Sequence, residues 1–321
     1  FGWVQSQDSE EWEWQEDDGA IYTPPTVTAT PKLPKNVYKP KQSLGQNYLK
    51  DPNTVDKILR AFRDDLRRVN ETARILELGP GAGALTDKLV ESYRTNRLQA
   101  VELDERSIDI LRNKHPSLTV HHGDVLQIDY SDFERPLCVI GNLPYYITSQ
   151  ILFCLADAVH TNAVQSATVT MQYEVAQRMV AKPNTKDYGI LSVVFQLYAD
   201  TKMHFKIPPT VFYPQPKVDS ALVGLHFCAL DQLKERLQGV SVHDLRKVIT
   251  TSFQQRRKTL RNSLRSLQCL DQVPAEFAKQ RPEQLTPQQF VELTRSIYGT
   301  TASSNRSDTK VWRKLKHGKN E

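Results

Sequence analysis

The sequence predicts an α/β protein, a mostly parallel sheet layered with helices and followed by a small all-helical C-terminal domain. Three observations carry this. Between residues 41 and 230 short apolar runs alternate with helical stretches, the pattern of strands joined by crossover helices. One of those runs passes through a glycine-rich turn directly into a helix. From about residue 231 the strand signals stop and amphipathic helix takes over, which sets the expected boundary between a 41–230 domain and a 231–300 domain.

Taken in order, the first forty residues combine an acidic, Trp-containing run with Pro24, Pro25, Pro31, Pro34 and Pro40. They lack periodicity, so a disordered leader is expected over 1–40. Strands are expected at 74–78, 98–102, 118–121, 137–140, 167–171 and 221–227, with helices at 85–93, 107–114 and 147–158. In 249–267 the apolar Ile249, Phe253, Leu260, Leu264 and Leu267 share one helical face. Arg257, Arg261 and Arg265 recur every four residues on another, giving a basic amphipathic helix. Such a face is often merely solvated; on a nucleic-acid-binding protein it holds phosphates with little base selectivity. Residues 301–321 form a second polar tail, this one basic.

The composition, 39% hydrophobic and 25% charged over 321 residues, is that of a water-soluble globular chain, and no run approaches the roughly 18 apolar residues of a membrane helix. The net charge of +5 is unevenly spread: residues 1–20 hold seven acids and no Lys or Arg, so the remainder carries +12. A basic body suits a polyanionic partner. Cys138, Cys154, Cys228 and Cys269 are far apart and form no metal-ligand spacing, so reduced and mostly buried thiols are expected. His121 and His122 adjoin at a strand end and should face opposite ways, so no metal is assigned.

The turn after the first main strand reads Gly79-Pro80-Gly81-Ala82-Gly83. It lets backbone approach a ligand and presents the free N–H groups of a helix start. The spacing departs from the GxGxxG of dinucleotide enzymes, because Ala84 stands where the third glycine belongs, which disfavours hydride transfer. Glu102 ends the next strand, where a carboxylate can accept from both ribose hydroxyls. Asp124 ends the third, within reach of an adenine amine. Together the three strand ends outline a nucleoside cleft; taken singly, the two acids could equally be solvated.

Asn142-Leu143-Pro144-Tyr145 follows the fourth strand. An adenine amine is a poor nucleophile because its lone pair is delocalised into the ring. The Asn142 side-chain oxygen and the Leu143 carbonyl could accept its two N–H bonds and aim the lone pair at a methyl donor. Tyr145 offers a face for an extruded base, and Phe212 could close the other face. Read alone, the tetrapeptide is also an ordinary strand-terminating turn; after a nucleoside cleft the catalytic reading is the stronger.

These residues resemble the ribosomal RNA adenine dimethyltransferases of the bacterial KsgA type, from about 41 to 299. The resemblance runs through residues 42–49, 77–86, 102–104, 123–125, 141–148, 171–176, 186–189, 212–220 and 253–262. It implies a Rossmann-like, seven-stranded class I methyltransferase sheet with a small helical rRNA-binding domain. It also implies S-adenosyl-L-methionine as cofactor and dimethylation of two adjacent adenines near the 3′ end of small-subunit rRNA. By motif, Gln46, Asn47, Leu49, Gly79, Gly81, Glu102, Asp124 and Asn142 would contact the cofactor, and Asn142, Leu143, Pro144 and Tyr145 the target base, with Phe212 opposite. The expected partner is rRNA in immature small subunits, met by a monomer without a membrane. Two departures stand out: Tyr173 replaces the family's usual Lys, and the two tails lie outside the pattern. A large-subunit rRNA methyltransferase and a non-catalytic assembly or transcription factor on the same fold are the competing readings. A bacterial-type body behind an unusual leader points to an organelle of bacterial descent, plastid or mitochondrion, ahead of a bacterial cytoplasm.

Overall fold

The computed structural model describes residues 2–5, 12–15, 40–41, 45–267, 270–300 and 310–314. Phe1–Thr30 and Pro31–Glu321 form separate units. The first contains β1 (Gly2–Gln5) and β2 (Trp12–Gln15), an antiparallel pair with Gly2 opposite Gln15. No regular element was expected there. Aromatic and β-branched residues in GWVQ and WEWQ favour extended backbone, and pairing needs only two such runs. The rest of the expected leader, apart from residue 40, lies outside the described residues.

In the second unit a two-residue strand, β3 (Tyr48–Leu49), precedes α1 (Pro52–Val69). Asp51 caps that helix by accepting from Thr54 N at 2.8 Å, and Pro occupies its first turn, where a missing N–H costs nothing. There follow β4 (Arg74–Leu78), α2 (Ala84–Tyr93), β5 (Leu98–Glu102), α3 (Glu105–Lys114), β6 (Thr119–His122), β7 (Leu137–Asn142), α4 (Thr148–Ala158) and β8 (Val164–Gln172). Then come α5 (Tyr173–Val180), α6 (Ile190–Tyr198), β9 (Ala199–Ile207), the short β10 (Phe212–Tyr213) and β11 (Ser220–Phe227).

The main sheet has seven strands in the order β6-β5-β4-β7-β8-β11-β9. The first five are parallel, and β11 runs antiparallel to both β8 and β9. Helices cover both faces: α1, α2 and α3 pack with Ile75, Ala100 and Ile140 on one, and α4 and α6 pack with Leu76, Val139 and Val169 on the other. All six expected strands are present to within three residues at either end, because strands covered on both faces read as continuous apolar runs. β9 was not expected. It is an edge strand, half exposed and interspersed with polar residues, and it follows α6 with no punctuating turn.

A buried polar cluster ties α1 to the sheet. Asp65 accepts from Thr168 Oγ1 at 2.7 Å and lies 2.8 Å from His204 Nε2 and 3.1 Å from His226 Nε2. Gly224 makes the space, since a Cβ there would sit 2.5 Å from His204 Nε2 and 2.6 Å from Asp65 Oδ2.

Among the described residues only helices follow β11: α7 (Leu230–Leu237), α8 (Val242–Gln254), α9 (Leu260–Ser263), α10 (Ala275–Ala278) and α11 (Pro287–Tyr298). Their Leu233, Val248 and Phe290 belong to the same apolar cluster as Val193 and Phe195 of α6, so the secondary structure changes near residue 231 while the core continues. The single basic helix expected over 249–267 is interrupted. α8 ends at Gln254, a turn intervenes, and Leu260 N donates to Gln280 O at 2.8 Å as α9 begins. Burial of Leu260 and Leu264 decides that break. Arg257, Arg261 and Arg265 stay exposed. Of the expected polar tail 301–321 only residues 310–314 are among the described residues, and there Val311 and Trp312 are fully buried against α4 rather than solvated. No described helix is long and apolar enough to cross a membrane.

Cys138, Cys154 and Cys228 are buried free thiols, and Cys269 lies outside the described residues. His121 turns to Gln99 at 2.9 Å and His122 toward Glu105 at 3.9 Å.

Candidate active site

β4 pairs with β5 on one side and β7 on the other, and the crevice beyond their carboxyl ends is the place where such sheets bind ligands. A cleft opens there. Its walls include residues 45–49, 77–81, Glu102, 124–126, Asn142, Leu143, Pro144, Tyr146 and Ile151.

Gly81 has φ +56°, and a Cβ on it would meet Tyr48 Cε1 at 2.5 Å, so the turn keeps backbone against the cleft only with glycine. Glu102 locks that turn to the end of β5. Its Oε2 accepts from Gly81 N at 2.9 Å, and its Oε1 from Leu103 N at 2.8 Å and Asp104 N at 2.9 Å. Burial raises its carboxyl above the usual range, and those three N–H groups work against the rise. A carboxylate has about four lone-pair sites, so one remains for a ribose hydroxyl, where the sequence suggested room for two. Asp124 accepts from Leu126 N at 2.9 Å.

Asn142 is held from two sides. Its Nδ2 donates to Asn47 O at 2.7 Å, and its Oδ1 accepts from the Thr170 hydroxyl. The Asn47 carbonyl can only accept, which fixes the amide's orientation and leaves one Oδ1 lone pair for a ligand N–H. Leu143 N donates to Thr170 O at 3.2 Å. Gln46 lines the cleft while its side chain donates to Asp104 Oδ2 at 3.0 Å, tying the entry segment to α3.

Ten of the sequence-predicted site residues therefore meet in one cleft: Gln46, Asn47, Leu49, Gly79, Gly81, Glu102, Asp124, Asn142, Leu143 and Pro144. Two are not among its lining residues. Tyr145 is half-buried, with its hydroxyl bonded to Ser220 Oγ. Phe212 is fully buried in the α1 side of the core, opposite Leu49 in the β3–β10 pair, so it offers no face to a base. The exposed rings are their neighbours, Tyr146 at 53%, which lines the cleft, and Tyr213 at 51%, which pairs with Tyr48. Tyr173 carries Lys206 Nζ 4.9 Å from its ring centre, so a cation from β9 stands beside the position where the family's Lys is replaced.

Sequence reasoning gave Glu77 no role. It is completely buried in the cleft wall, its Oε2 has no hydrogen-bond partner, and burial pushes its carboxyl up to about 8. The signal was available, since a carboxylate near the end of an apolar central strand is costly unless it meets a cation or keeps its proton.

Residues 37–296 match the family described as Ribosomal RNA adenine dimethylase. The chain belongs to that family. It is 42% identical over 266 residues to a ribosomal RNA small subunit methyltransferase A of Salinibacter ruber, covering 81% of this chain and 86% of that protein. A protein of the same name from Parabacteroides distasonis is 40% identical over 262 residues, 80% of this chain and 93% of that one. Among solved structures, a dimethyladenosine transferase from Plasmodium falciparum has the same fold, with a TM-score of 0.64 at 23% identity over 76% of this chain and 95% of that one. The 23S rRNA methyltransferase ErmE superposes with a TM-score of 0.54 at 24% identity, covering 78% and 99% of the two chains. The chain is thus an rRNA adenine dimethyltransferase of the S-adenosylmethionine-dependent class, with the class I sheet that its sequence predicted.

The cleft fits that cofactor. The partnerless Glu77 Oε2 suits a cationic group such as the cofactor's ammonium, and the positive-φ glycine turn admits its backbone-hugging chain.

Proposed function

We propose that this chain dimethylates two adjacent adenines near the 3′ end of small-subunit rRNA, acting as a monomer on immature subunits. The observation that carries the reading is Asn142, anchored by Asn47 and Thr170 at the cleft floor with one acceptor site free. When bound, S-adenosylmethionine supplies an electrophilic methyl group on a sulfonium. Glu77 would hold its ammonium, Glu102 a ribose hydroxyl and Asp124 the adenine amine.

Asn142 Oδ1 and the Leu143 carbonyl accept the target amine's N–H bonds and turn its lone pair toward the methyl. Both groups are fixed before the base arrives, so little reorganisation is needed at the moment of transfer. No strong base is required, because the methylated amine becomes acidic and sheds a proton to water. Tyr146, exposed on the cleft wall, is available to stack on the extruded base, and Tyr145 supports the turn from beneath.

The test is transfer of labelled methyl to immature small subunits by the wild type and by Asn142→Ala, with the modified bases mapped. Label on adjacent adenines near the 3′ end, lowered about a hundredfold or more in the variant, is the expected result. Intact cofactor binding with no label would favour a non-catalytic assembly factor.

For compartment, bacterial relatives together with an acidic leader outside the matched region favour an organelle of bacterial descent, plastid or mitochondrion. Recovery of the protein with organellar rather than cytosolic small subunits on fractionation is the expected outcome.

A further inference from the structure

The connection between β6 and β7 is the one parallel crossover in this sheet without an α-helix; over residues 123–136 it makes only a single 3-10 turn, Tyr130–Asp132. The α4 face of the sheet is therefore one helix short on that side, and the same connection carries the cleft residues Asp124, Val125 and Leu126. A segment from beyond the family-matched region packs alongside: Val311 and Trp312 lie on α4 and belong to the same apolar cluster as Tyr130, Leu76 and Val101.

Its attachment is specific. The Trp312 ring stacks on Phe153 with centroids 6.1 Å apart, and its Nε1–H donates to the Tyr198 hydroxyl at 2.9 Å. The backbone N–H groups of Trp312 and Arg313 donate to the two carboxylate oxygens of buried Asp157, at 2.8 and 2.9 Å. Lys310 pairs with Asp129 at 3.2 Å, and Asp129 caps the Tyr130 turn. The underlying α4 reaches the cleft from its other side: Ile151 lines it, and Cys154 Sγ donates to Leu126 O at 3.8 Å. A strap with no atom in the cleft thus clamps both the loop and the helix that form one of its walls.

We propose that Lys310–Arg313 is a positioning strap that holds the Asp124–Leu126 wall in its binding-competent place, so that cofactor affinity depends on it. The proposal rests on reading Asp124 as a cofactor contact. With the strap gone, the helix-less connection has lost its cover and its cap's ion pair, and the wall must be ordered at the expense of binding.

The experiment is calorimetric titration of S-adenosylmethionine into the full chain, Trp312→Ala, Trp312→Phe and Lys310→Ala, with melting temperature and methyl-transfer kinetics measured alongside. Trp312→Ala is expected to raise the cofactor Kd and KM roughly three- to thirtyfold while kcat at saturating cofactor stays near that of the wild type. Trp312→Phe, which keeps the stacking ring, recovers most of the affinity. Lys310→Ala removes only a surface ion pair, so it folds in any case, and it shows a smaller rise of the same sign. Unchanged Kd in Lys310→Ala, with Trp312→Ala either unfolded or altered only in melting temperature, would reduce the strap to a stabilising role and overturn the proposal. A wild type that bound no S-adenosylmethionine would overturn the cofactor reading itself, a different result from variants that bind as well as the wild type does.

Discussion

Glu77 makes stability depend on pH through a single buried carboxyl in the cleft wall. Burial is the main cause of its rise from 4.5 to about 8, only partly offset by the Thr86 hydroxyl. The folded protein therefore keeps a proton that the unfolded chain releases, and stability falls as pH climbs from 4.5 toward 8. Glu77→Gln should remove that decline, so that without cofactor the variant melts higher than the wild type near pH 8, while calorimetry shows weaker cofactor binding. A variant with the same pH profile as the wild type would mean that Glu77 is not the titrating group. At the same scale, Tyr145 and Phe212 were expected to offer their faces to a base, yet Phe212 is fully buried and the exposed rings are those of their neighbours, Tyr146 and Tyr213. Residue type is written in the sequence; which of two adjacent rings faces the core depends on backbone angles at the 3-10 turn Tyr145–Ile147 and at the short β3–β10 pair.

At the scale of elements, α1 is held to the sheet by both an apolar stripe and the Asp65 cluster. Burial works to raise the Asp65 carboxyl, but hydrogen bonds from His204, His226 and Thr168 together outweigh it and hold it well below the usual carboxylate range. Its stabilising effect is thus fully present above the unfolded value of about 4 and fades as pH falls below it. Asp65→Asn should cost about 3 to 5 kcal/mol at pH 7, because it removes the carboxylate charge and one acceptor from buried polar groups on three strands, β8, β9 and β11; urea unfolding midpoints would show it, and the difference should shrink in acid. The α8–α9 break belongs here too. Apolar spacing in 249–267 suits one helix, but the burial of Leu260 and Leu264 and the bond from Leu260 N to Gln280 O favour two.

At the scale of the molecule, charge and core are distributed differently. The core runs without interruption from the sheet through α6 into α8 and α11, so the helical region and the sheet share one apolar core within a single compact unit. The exposed Arg257, Arg261 and Arg265 sit on that helical region. Replacing all three with Ala should weaken rRNA binding and reduce the slope of log affinity against log salt by about 2 to 3, with kcat at saturating RNA kept. Filter binding across a salt series checks this; an unchanged slope would make the face merely solvated.

The sequence by itself determined the fold class, the central strands and ten residues that the structure brings together in one cleft. Continuous apolar runs and glycine turns are local consequences of being buried on both faces or of approaching a ligand. Only the tertiary structure decided the partners of Asn142, the buried state of Glu77, the burial of Phe212, the edge strand β9 and the return of Trp312 to α4. Each depends on a contact between residues far apart in the chain, and local periodicity carries no record of what will cover a given side chain.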